Sequence, residues 1–264
     1  MKALVMLAIA LTPTIGYSQA PVITGAVNAA SFAQDQPLSP GSLVSLFGTG
    51  LAASTATAST VPLPDSIAGV SVTFSGITAP LHFVSPSQIN LQVPWRVEPG
   101  VTDIVVTVSG STSAAFRAQV EPVSPGIFTI SSRSRQAVAI NADGSVAGEY
   151  ESIPGVVARP ARAGEIIMIL GTGFGPVTPA NADGAASRDQ LRTTIATPAV
   201  FINGIPALVT FCGLSPEFVG VNQINVVVPH NPTGAGGEWP VQIEIDDMRT
   251  SDKVTITVMG AWDY

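Results

Sequence analysis

Internal repetition is the feature that most constrains what this chain can fold into. Four short segments occur twice, in the same order, along its 264 residues. The pairs are Ala26-Val27-Asn28-Ala29 with Ala139-Ile140-Asn141-Ala142, Leu46-Phe47-Gly48-Thr49-Gly50 with Ile169-Leu170-Gly171-Thr172-Gly173, Phe74-Ser75-Gly76-Ile77 with Ile202-Asn203-Gly204-Ile205, and Gln88-Ile89-Asn90 with Gln223-Ile224-Asn225. The spacing between the members of a pair grows along the chain. This pattern indicates a duplication whose second copy has longer loops.

The repeated segments have the composition of β-strands. They are short, rich in Val, Ile, Thr and Phe, and bounded by Gly, Pro, Asn and Ser. No stretch after the first 20 residues has a helical period of apolar residues. We therefore expect an all-β chain with two tandem β-sandwiches of the immunoglobulin-like kind, at residues 21–123 and 124–264. The join falls at Glu121-Pro122-Val123-Ser124-Pro125-Gly126, where two prolines restrict the backbone.

Residues 1–20 have the order of a cleavable signal peptide. Lys2 precedes an apolar run from Ala3 to Leu11, and small residues follow up to Ser18 and Ala20. The run is too short to span a bilayer, which takes about 20 apolar residues. Cleavage after Ser18 and cleavage after Ala20 both stay open. We expect a bacterial protein that is secreted, periplasmic or held at the cell surface, with no membrane span in the mature chain.

Charge and cysteine content exclude several classes of protein. Only 11% of the residues are charged, and the formal net charge is −7. An acidic chain repels phosphate backbones, so a nucleic-acid partner is not expected. The remaining partners are a protein or a surface polysaccharide. Cys212 is the single cysteine, so no disulfide within the chain is available, and its strand-like context predicts a buried, inert thiol.

Several motifs in fixed order resemble known families. The second copy, with Gly171-Thr172-Gly173-Phe174, then Asn203-Gly204-Ile205-Pro206-Ala207, then a strand ending in Val228-Pro229, resembles the IPT/TIG immunoglobulin-like domain. The chain as a whole is similar to the uncharacterised Solibacter-type C-terminal domain family of exported bacterial proteins. These resemblances imply the sandwich fold and an extracellular location, and they imply no activity.

The residues offer little for catalysis or for a cofactor. His82 and His230 are the two histidines, they occupy different repeat positions, and the chain has no G-x-S-x-G elbow. With one cysteine they form no zinc-binding pattern. The run Gly171–Gly175 is followed by Pro176 rather than by a helix, so it predicts a tight turn and not a dinucleotide site. We expect no enzyme, no catalytic residues, no cofactor and no metal.

Two Asn-Ala-Asp-Gly segments, at residues 141–144 and 181–184, predict turns rather than EF-hand loops. A calcium site of another kind, drawn from Asp246, Asp247 and Asp252, stays open.

The candidate binding residues are Gln88, Asn90, Trp95 and Arg96. The strand 88–93 places Ile89 and its apolar neighbours on one face and the amides of Gln88 and Asn90 on the other. Because the amides recur in the second copy, a duty within each sandwich, such as bonding the adjacent Ser-Pro loop, competes with a role in ligand binding. Trp95 and Arg96 have no counterpart in the second copy, which indicates the domain junction or a binding site.

A cluster of arginines flanks the predicted junction. Its members are Arg133, Arg135, Arg159 and Arg162, and the prediction is that they pair with Glu149, Glu151 and Glu165.

These observations favour an exported, non-enzymatic module for extracellular interaction or adhesion. One alternative is a carbohydrate-binding module with an exposed aromatic strip around Trp95 or Trp239. Another is a hydrolase at the domain junction, which requires Arg162, Glu165 or Asp189 beside a histidine. The C-terminal residues 259–264 carry two aromatics and would either fray or dock on another chain.

Overall fold

The described part of the chain folds into two β-sandwiches. The structure is a computed structural model that describes residues 20–131, 133–251 and 253–261, so the predicted signal peptide is outside it apart from its last residue. Among these residues there are 24 strands and no α-helix. The expected all-β fold is therefore confirmed.

The first sandwich consists of two antiparallel sheets. Its strands are β1 (Val22–Asn28), β2 (Leu43–Thr49), β3 (Ala56–Thr57), β4 (Val70–Phe74), β5 (Ile77–Thr78), β6 (Leu81–Val84), β7 (Gln88–Gln92), β8 (Gly100–Val108), β9 (Ser111–Thr112) and β10 (Phe116–Val120). One sheet has the order β1-β2-β7-β6-β3, and the other has the order β10-β8-β4-β5, with β9 paired to β8.

The second sandwich repeats this strand order and adds short strands to it. Its strands are β11 (Gly126–Ile127), β12 (Ala139–Ile140), β13 (Val146–Ala147), β14 (Ala158–Arg159), β15 (Ile166–Thr172), β16 (Val177–Thr178), β17 (Thr193–Thr194), β18 (Ala199–Ile202), β19 (Ile205–Ala207), β20 (Val209–Leu214), β21 (Asn222–Val227), β22 (Gly237–Ile245), β23 (Met248–Arg249) and β24 (Thr255–Val258). The order β12-β15-β21-β20-β17 corresponds to β1-β2-β7-β6-β3. The pairing of β24, β18 and β19 around β22 corresponds to the other sheet.

Alternation along the strands decides which side chains enter the two cores. In β4, Val70, Val72 and Phe74 are fully buried, whereas Ser71 and Thr73 between them are half-buried. Each sandwich has its own cluster of buried apolar residues, and no cluster spans the two. Each core therefore stabilises its own sandwich.

Two predictions about single residues of the second sandwich have opposite outcomes. Cys212 is buried, as expected, and burial raises the pKa of its thiol to about 11. Trp239 is only 4% exposed and belongs to the second core. The prediction of an exposed aromatic strip at Trp239 is therefore wrong, because the indole is packed in the core of the second sandwich.

The glycine-rich turns have the backbone that was predicted for them. Gly50, Gly173 and Gly175 all have positive φ, at 65°, 83° and 90°. A Cβ atom on Gly173 would lie 2.1 Å from the carbonyl oxygen of Ser124. This turn therefore requires glycine for its conformation and also for its close approach to the linker between the sandwiches.

One arginine of the predicted cluster is held by two carboxylates. The Arg159 guanidinium donates to Glu165, as predicted, and its Nε lies 2.7 Å from Asp143 Oδ2. The hydrogen bond from Arg159 is the largest cause that holds the pKa of Asp143 well below its usual range. Burial opposes ionisation of Glu165, but hydrogen bonds from Arg159 and from the Arg162 amide leave its pKa below the ordinary value.

The rest of the arginine cluster differs from the prediction. Within the described part of the chain, Arg133, Arg135 and Arg162 make no ion pair, and Glu149 and Glu151 pair with none of them. All three arginines are exposed.

We predict that Gly173→Ala destabilises the protein more than Gly204→Ala does. Both glycines have positive φ, and a Cβ on Gly204 would meet nothing within 4 Å. Gly204→Ala should thus cost about 1 kcal/mol from backbone strain alone, whereas Gly173→Ala should cost about 3 kcal/mol because the linker must also shift. Urea denaturation of both variants measures the difference, and equal losses would contradict the close approach.

Candidate functional site

The two sandwiches meet where a loop of the second covers one end of strand β7. Gln92 in β7 is fully buried. Its Nε2 donates to the carbonyl of Gly41 at 3.1 Å, and its Oε1 accepts from the amide of Gly184 at 2.7 Å. The Gly184 carbonyl in turn accepts from the amide of Leu63 at 2.8 Å. The predicted turn at residues 181–184 is therefore a docking element at the junction.

Trp95 and Arg96 lie beside the same turn. The backbone amide of Trp95 donates to Asp183 Oδ1 at 2.7 Å, and Arg96 Nε lies 4.0 Å from Asp183 Oδ2. The Trp95 ring covers Gly41, where a Cβ atom would lie 2.2 Å from the ring carbons. Both residues are thus placed at the contact between the sandwiches. A role for them in ligand binding stays a prediction.

The linker adds a second set of contacts around Ser124. The Ser124 carbonyl accepts from Asn28 Nδ2 at 2.9 Å, and its amide donates to the Gly173 carbonyl at 2.8 Å. Gln36 Nε2 donates to Ser124 Oγ at 3.0 Å. One linker residue is therefore bonded to both sandwiches.

A third contact anchors residues 217–221 of the second sandwich against strand β2. Thr172 Oγ1 accepts from the amide of Leu43 at 2.9 Å and donates to the Gly220 carbonyl at 2.6 Å. A Cβ on Gly220 would lie 3.0 Å from the Leu43 side chain. This segment therefore stands as a wall at one side of the outer face of the first sandwich.

Between this wall and the first sandwich lies a cleft of about 490 Å³, which is lined by residues of both sandwiches. Its floor is the outer face of the sheet β1-β2-β7-β6-β3, where Ser45, Asn90 and Gln88 are neighbours. Asn90 Oδ1 accepts from Ser45 Oγ at 3.0 Å and from Gln88 Nε2 at 2.8 Å. Within the described residues, Asn90 Nδ2 and Gln88 Oε1 have no hydrogen-bond partner. The floor thus offers a donor and an acceptor to a ligand.

Aromatic side chains form much of the walls. Phe218, from residues 217–221, is 57% exposed, and Phe32, from the first sandwich, is 43% exposed. Phe128 from the linker region also lines the cleft. Phe32 has φ of 52°, a conformation that a bulky residue rarely adopts outside functional or tightly constrained sites. The cleft therefore combines polar amides on its floor with apolar rings at its sides, as ligand sites do.

The histidines occupy different surroundings. His82 lines the cleft together with Glu217, whose carboxylate lies 3.4 Å from Arg188. His230 and Arg162 line a small pocket of about 120 Å³ on the second sandwich.

The carboxylates that the hydrolase alternative requires are held by arginines. Glu165 is bound by Arg159, and the hydrogen bond from Arg192 lowers the pKa of Asp189 to about 2. Neither carboxylate is among the residues that line the His230 pocket. That the protein is not an enzyme stays a prediction.

The amides of Gln88 and Asn90 lie together in the cleft. They bond each other rather than the Ser-Pro loop, and Gln223 Nε2 bonds Asn225 Oδ1 in the same way at 3.0 Å in the second sandwich. Their role as binding residues stays a prediction.

Sequence reasoning missed the aromatic walls, above all Phe218. A signal for it exists in the repeats. One residue separates Pro86 from Gln88 in the first copy, whereas residues 217–222 separate Pro216 from Gln223 in the second. The longer loop of the second copy is the segment that lines the cleft.

Metal and membrane features can be stated for the described residues only. Across residues 20–131, 133–251 and 253–261, no three His, Cys, Asp or Glu side chains form a group that would hold a metal ion. Asp252 of the open calcium hypothesis lies outside this part of the chain, as do residues 262–264 of the C-terminal tail. The same described residues contain no helix of the length and apolar character that a membrane span requires.

Comparison with known proteins supports the fold. Residues 34–120, in the first sandwich, match the family model of the IPT/TIG domain. This match confirms the immunoglobulin-like description for the first sandwich, whereas the IPT/TIG resemblance of the second copy and the similarity to the Solibacter-type family stay predictions. Among curated proteins, no sequence match is found.

Three solved structures that are similar to this chain have low sequence identity and low TM-scores. SGBP-B of the Bacteroides ovatus mixed-linkage glucan utilization locus, in complex with a mixed-linkage heptasaccharide, has 14% identity and a TM-score of 0.33, over 84% of this chain and 43% of that one. Gamma-CGTase from alkalophilic Bacillus clarkii has 14% identity and a TM-score of 0.29, over 92% of this chain and 26% of that one. SGBP-B from a complex xyloglucan utilization locus in Bacteroides uniformis has 14% identity and a TM-score of 0.24, over 91% and 49%. The chain thus spans less than half the length of each.

We predict that Gln92→Met destabilises the protein by about 2–4 kcal/mol. The variant keeps the side-chain volume but leaves the buried Gly41 carbonyl and Gly184 amide without partners, and each such group costs about 1–3 kcal/mol. Gln88→Met is the matched control, because Gln88 is half-buried and water replaces its bond, so its cost should stay below about 1 kcal/mol. Urea denaturation followed by circular dichroism compares the two. Similar losses for both would show that Gln92 does not join the sandwiches.

Proposed function

We propose that this protein is an exported, non-enzymatic binding module that holds a stretch of polysaccharide in the cleft between its two sandwiches. The observation that carries the proposal is the pair of half-buried amides of Asn90 and Gln88, which is supported by the buried Ser45 hydroxyl and lines the cleft together with the exposed Phe32 and Phe218. This observation supports a polysaccharide rather than a protein as the partner.

The chemistry of the floor suits sugar hydroxyl groups. A hydroxyl both donates and accepts, so adjacent hydroxyls can accept from Asn90 Nδ2 and donate to Gln88 Oε1 together. Among the described residues that line the cleft, only His82 and Glu217 have ionisable side chains, and Glu217 is paired with Arg188. The apolar faces of sugar rings pack on aromatic side chains, here Phe32 and Phe218. Neutral sugars therefore fit this cleft better than ionic ligands do.

A peptide that binds by extending a sheet fits the cleft less well. Such a peptide needs an exposed strand edge with free backbone groups. Strand β7, in the floor, is already paired with β2 on one side and with β6 on the other. Recognition by β7 on the cleft floor therefore uses its side chains.

The proposal predicts that Asn90→Ala and Phe218→Ala each weaken binding of a neutral oligosaccharide about tenfold. Asn90→Ala removes the free donor and the acceptor of two floor bonds, and Phe218→Ala removes a stacking ring; each loss is worth about 1–1.5 kcal/mol. A neutral ligand is first identified with a panel of bacterial and plant oligosaccharides. Isothermal titration then gives the affinities.

Matched variants in the second sandwich serve as controls. Asn225→Ala removes the same kind of amide pair, and Leu208→Ala removes an apolar side chain that is 68% exposed, both away from the cleft lining. Both should bind like the natural protein. Equal weakening by Asn225→Ala and Asn90→Ala would place the site elsewhere, and a panel without any binder would overturn the proposal.

The absence of catalysis is a separate part of the proposal. The bound oligosaccharide should be recovered intact after prolonged incubation, as measured by mass spectrometry. Cleavage that is lost in His82→Ala would instead establish an enzyme with its site in the same cleft.

Export is the third part of the proposal, and it predicts that the signal peptide is cleaved from the N-terminus. The protein collected outside the cytoplasm of an expressing bacterium should begin at Gln19 or Pro21, because signal peptidase selects small residues before the cut. N-terminal sequencing measures this. A variant without Ala3–Leu11 should stay in the cytoplasm, and an external protein that still begins at Met1 would contradict cleavage.

A further inference from the structure

A second groove, of about 950 Å³, adjoins the cleft at Phe32. Phe32 lines both spaces, so they adjoin at this residue. Residues 31–37 of the first sandwich form one side of the groove, and the region after β11 and the loop that follows β23 form the other. A chain that leaves the cleft over Phe32 therefore enters this groove.

The groove concentrates positive charge on a protein that is negative overall. Arg133, Arg135, Arg249 and Lys253 line it, which is four of the 11 Lys and Arg residues in the chain. Among the described residues that line the groove, Asp35 is the one with a carboxylate. The whole chain has a formal net charge of −7, so the lining of this groove is more positive than the protein as a whole.

Most of these cations are not neutralised within the described part of the chain. Arg249 is paired with Glu244. Arg135 Nε donates to the Lys253 carbonyl oxygen at 2.7 Å, which fixes its guanidinium beside the Lys253 loop. Among residues 20–131, 133–251 and 253–261, Arg133, Arg135 and Lys253 make no ion pair with a carboxylate. Asp252 is outside these residues.

We infer that this groove binds the acidic groups, carboxylate or sulfate, of a polysaccharide whose neutral part occupies the cleft. The inference rests on the proposed function and narrows it to acidic polysaccharides. Guanidinium groups present paired N–H donors that match the oxygens of a carboxylate or a sulfate. A nucleic acid is the less suitable polyanion, because each of its nucleotides carries a phosphate and so none of them supplies the neutral part that the cleft is proposed to hold.

The test compares partly methyl-esterified oligogalacturonate, the acid form, which has both neutral and acidic residues, with the fully esterified form, the ester, which has the same sugars and no charge. Titration calorimetry with the full protein should give tighter binding of the acid form. Arg133→Gln combined with Lys253→Gln should weaken binding of the acid form about tenfold and leave the ester unchanged, since each exposed charge contact contributes modestly. Raising the salt concentration should weaken only the acid form.

Arg117→Gln combined with Arg162→Gln is the control, because it removes the same charge from exposed sites outside this groove. It should keep the affinity for the acid form. A heparin oligosaccharide, which carries sulfates in addition to carboxylates, is tested in parallel and shows whether added sulfate tightens binding. A single-stranded oligothymidylate that binds as tightly as either sugar would overturn the assignment to a polysaccharide.

The remaining outcomes separate this inference from the proposed function. If Asn90→Ala weakens both forms and the groove variant weakens neither, the inference is wrong and the cleft stands. If the groove variant weakens the acid form but Asn90→Ala has no effect, the groove stands and the cleft does not. If neither sugar form nor the heparin oligosaccharide binds, both proposals are wrong.

Discussion

The buried amide of Gln92 is the interaction on which the arrangement of the molecule depends. Each sandwich has a complete apolar core, so hydrophobic burial alone would leave the two halves independent. Gln92 bonds a carbonyl of its own sandwich and an amide of the other, in a place from which water is excluded. Because an unpaired polar group is costly there, a shift of one sandwich against the other that left these groups buried would leave them without partners. The Gln92 bridge therefore adds a specific, directional contact between the two sandwiches.

The cleft depends on a difference between two sandwiches that share a strand order. The sheet face with Ser45 and Asn90 belongs to the first, and the wall with Phe218 comes from a loop that is longer in the second. In the second sandwich, the position across from Asn225 is Met168, where the first has Ser45 across from Asn90. The same fold thus supplies a polar floor in one copy and a covering loop in the other. A site of this kind needs both copies in one chain.

Sequence patterns predicted the features of the fold that depend on residues close together in the chain. The repeats, the strand alternation and the glycine turns follow from short-range preferences, and the buried Ile89 and the positive φ of Gly173 agree with them. The burial of Trp239 and the exposure of Phe218 could not be predicted in this way, because each depends on which distant residues pack nearby. Gln92 shows the same limit. Its polar side chain lies on the outer face as its register requires, and it is buried only because the loop of residues 181–185 covers that end of the strand.

The distribution of polar groups around Phe32 connects the low charge content to the site. Most polar groups of this protein are amides and hydroxyls, and only 11% of its residues are charged. The cations beside Phe32 therefore have few charged neighbours that would weaken their attraction to an anionic ligand nearby. The neutral floor on the other side of the ring makes directional hydrogen bonds instead. Phe32 itself has an unfavourable backbone conformation, which must be offset by the packing and bonds around it. The strained residue therefore lies at the boundary between a hydrogen-bonding surface and an electrostatic one, where a ligand with both neutral and charged parts would lie across it.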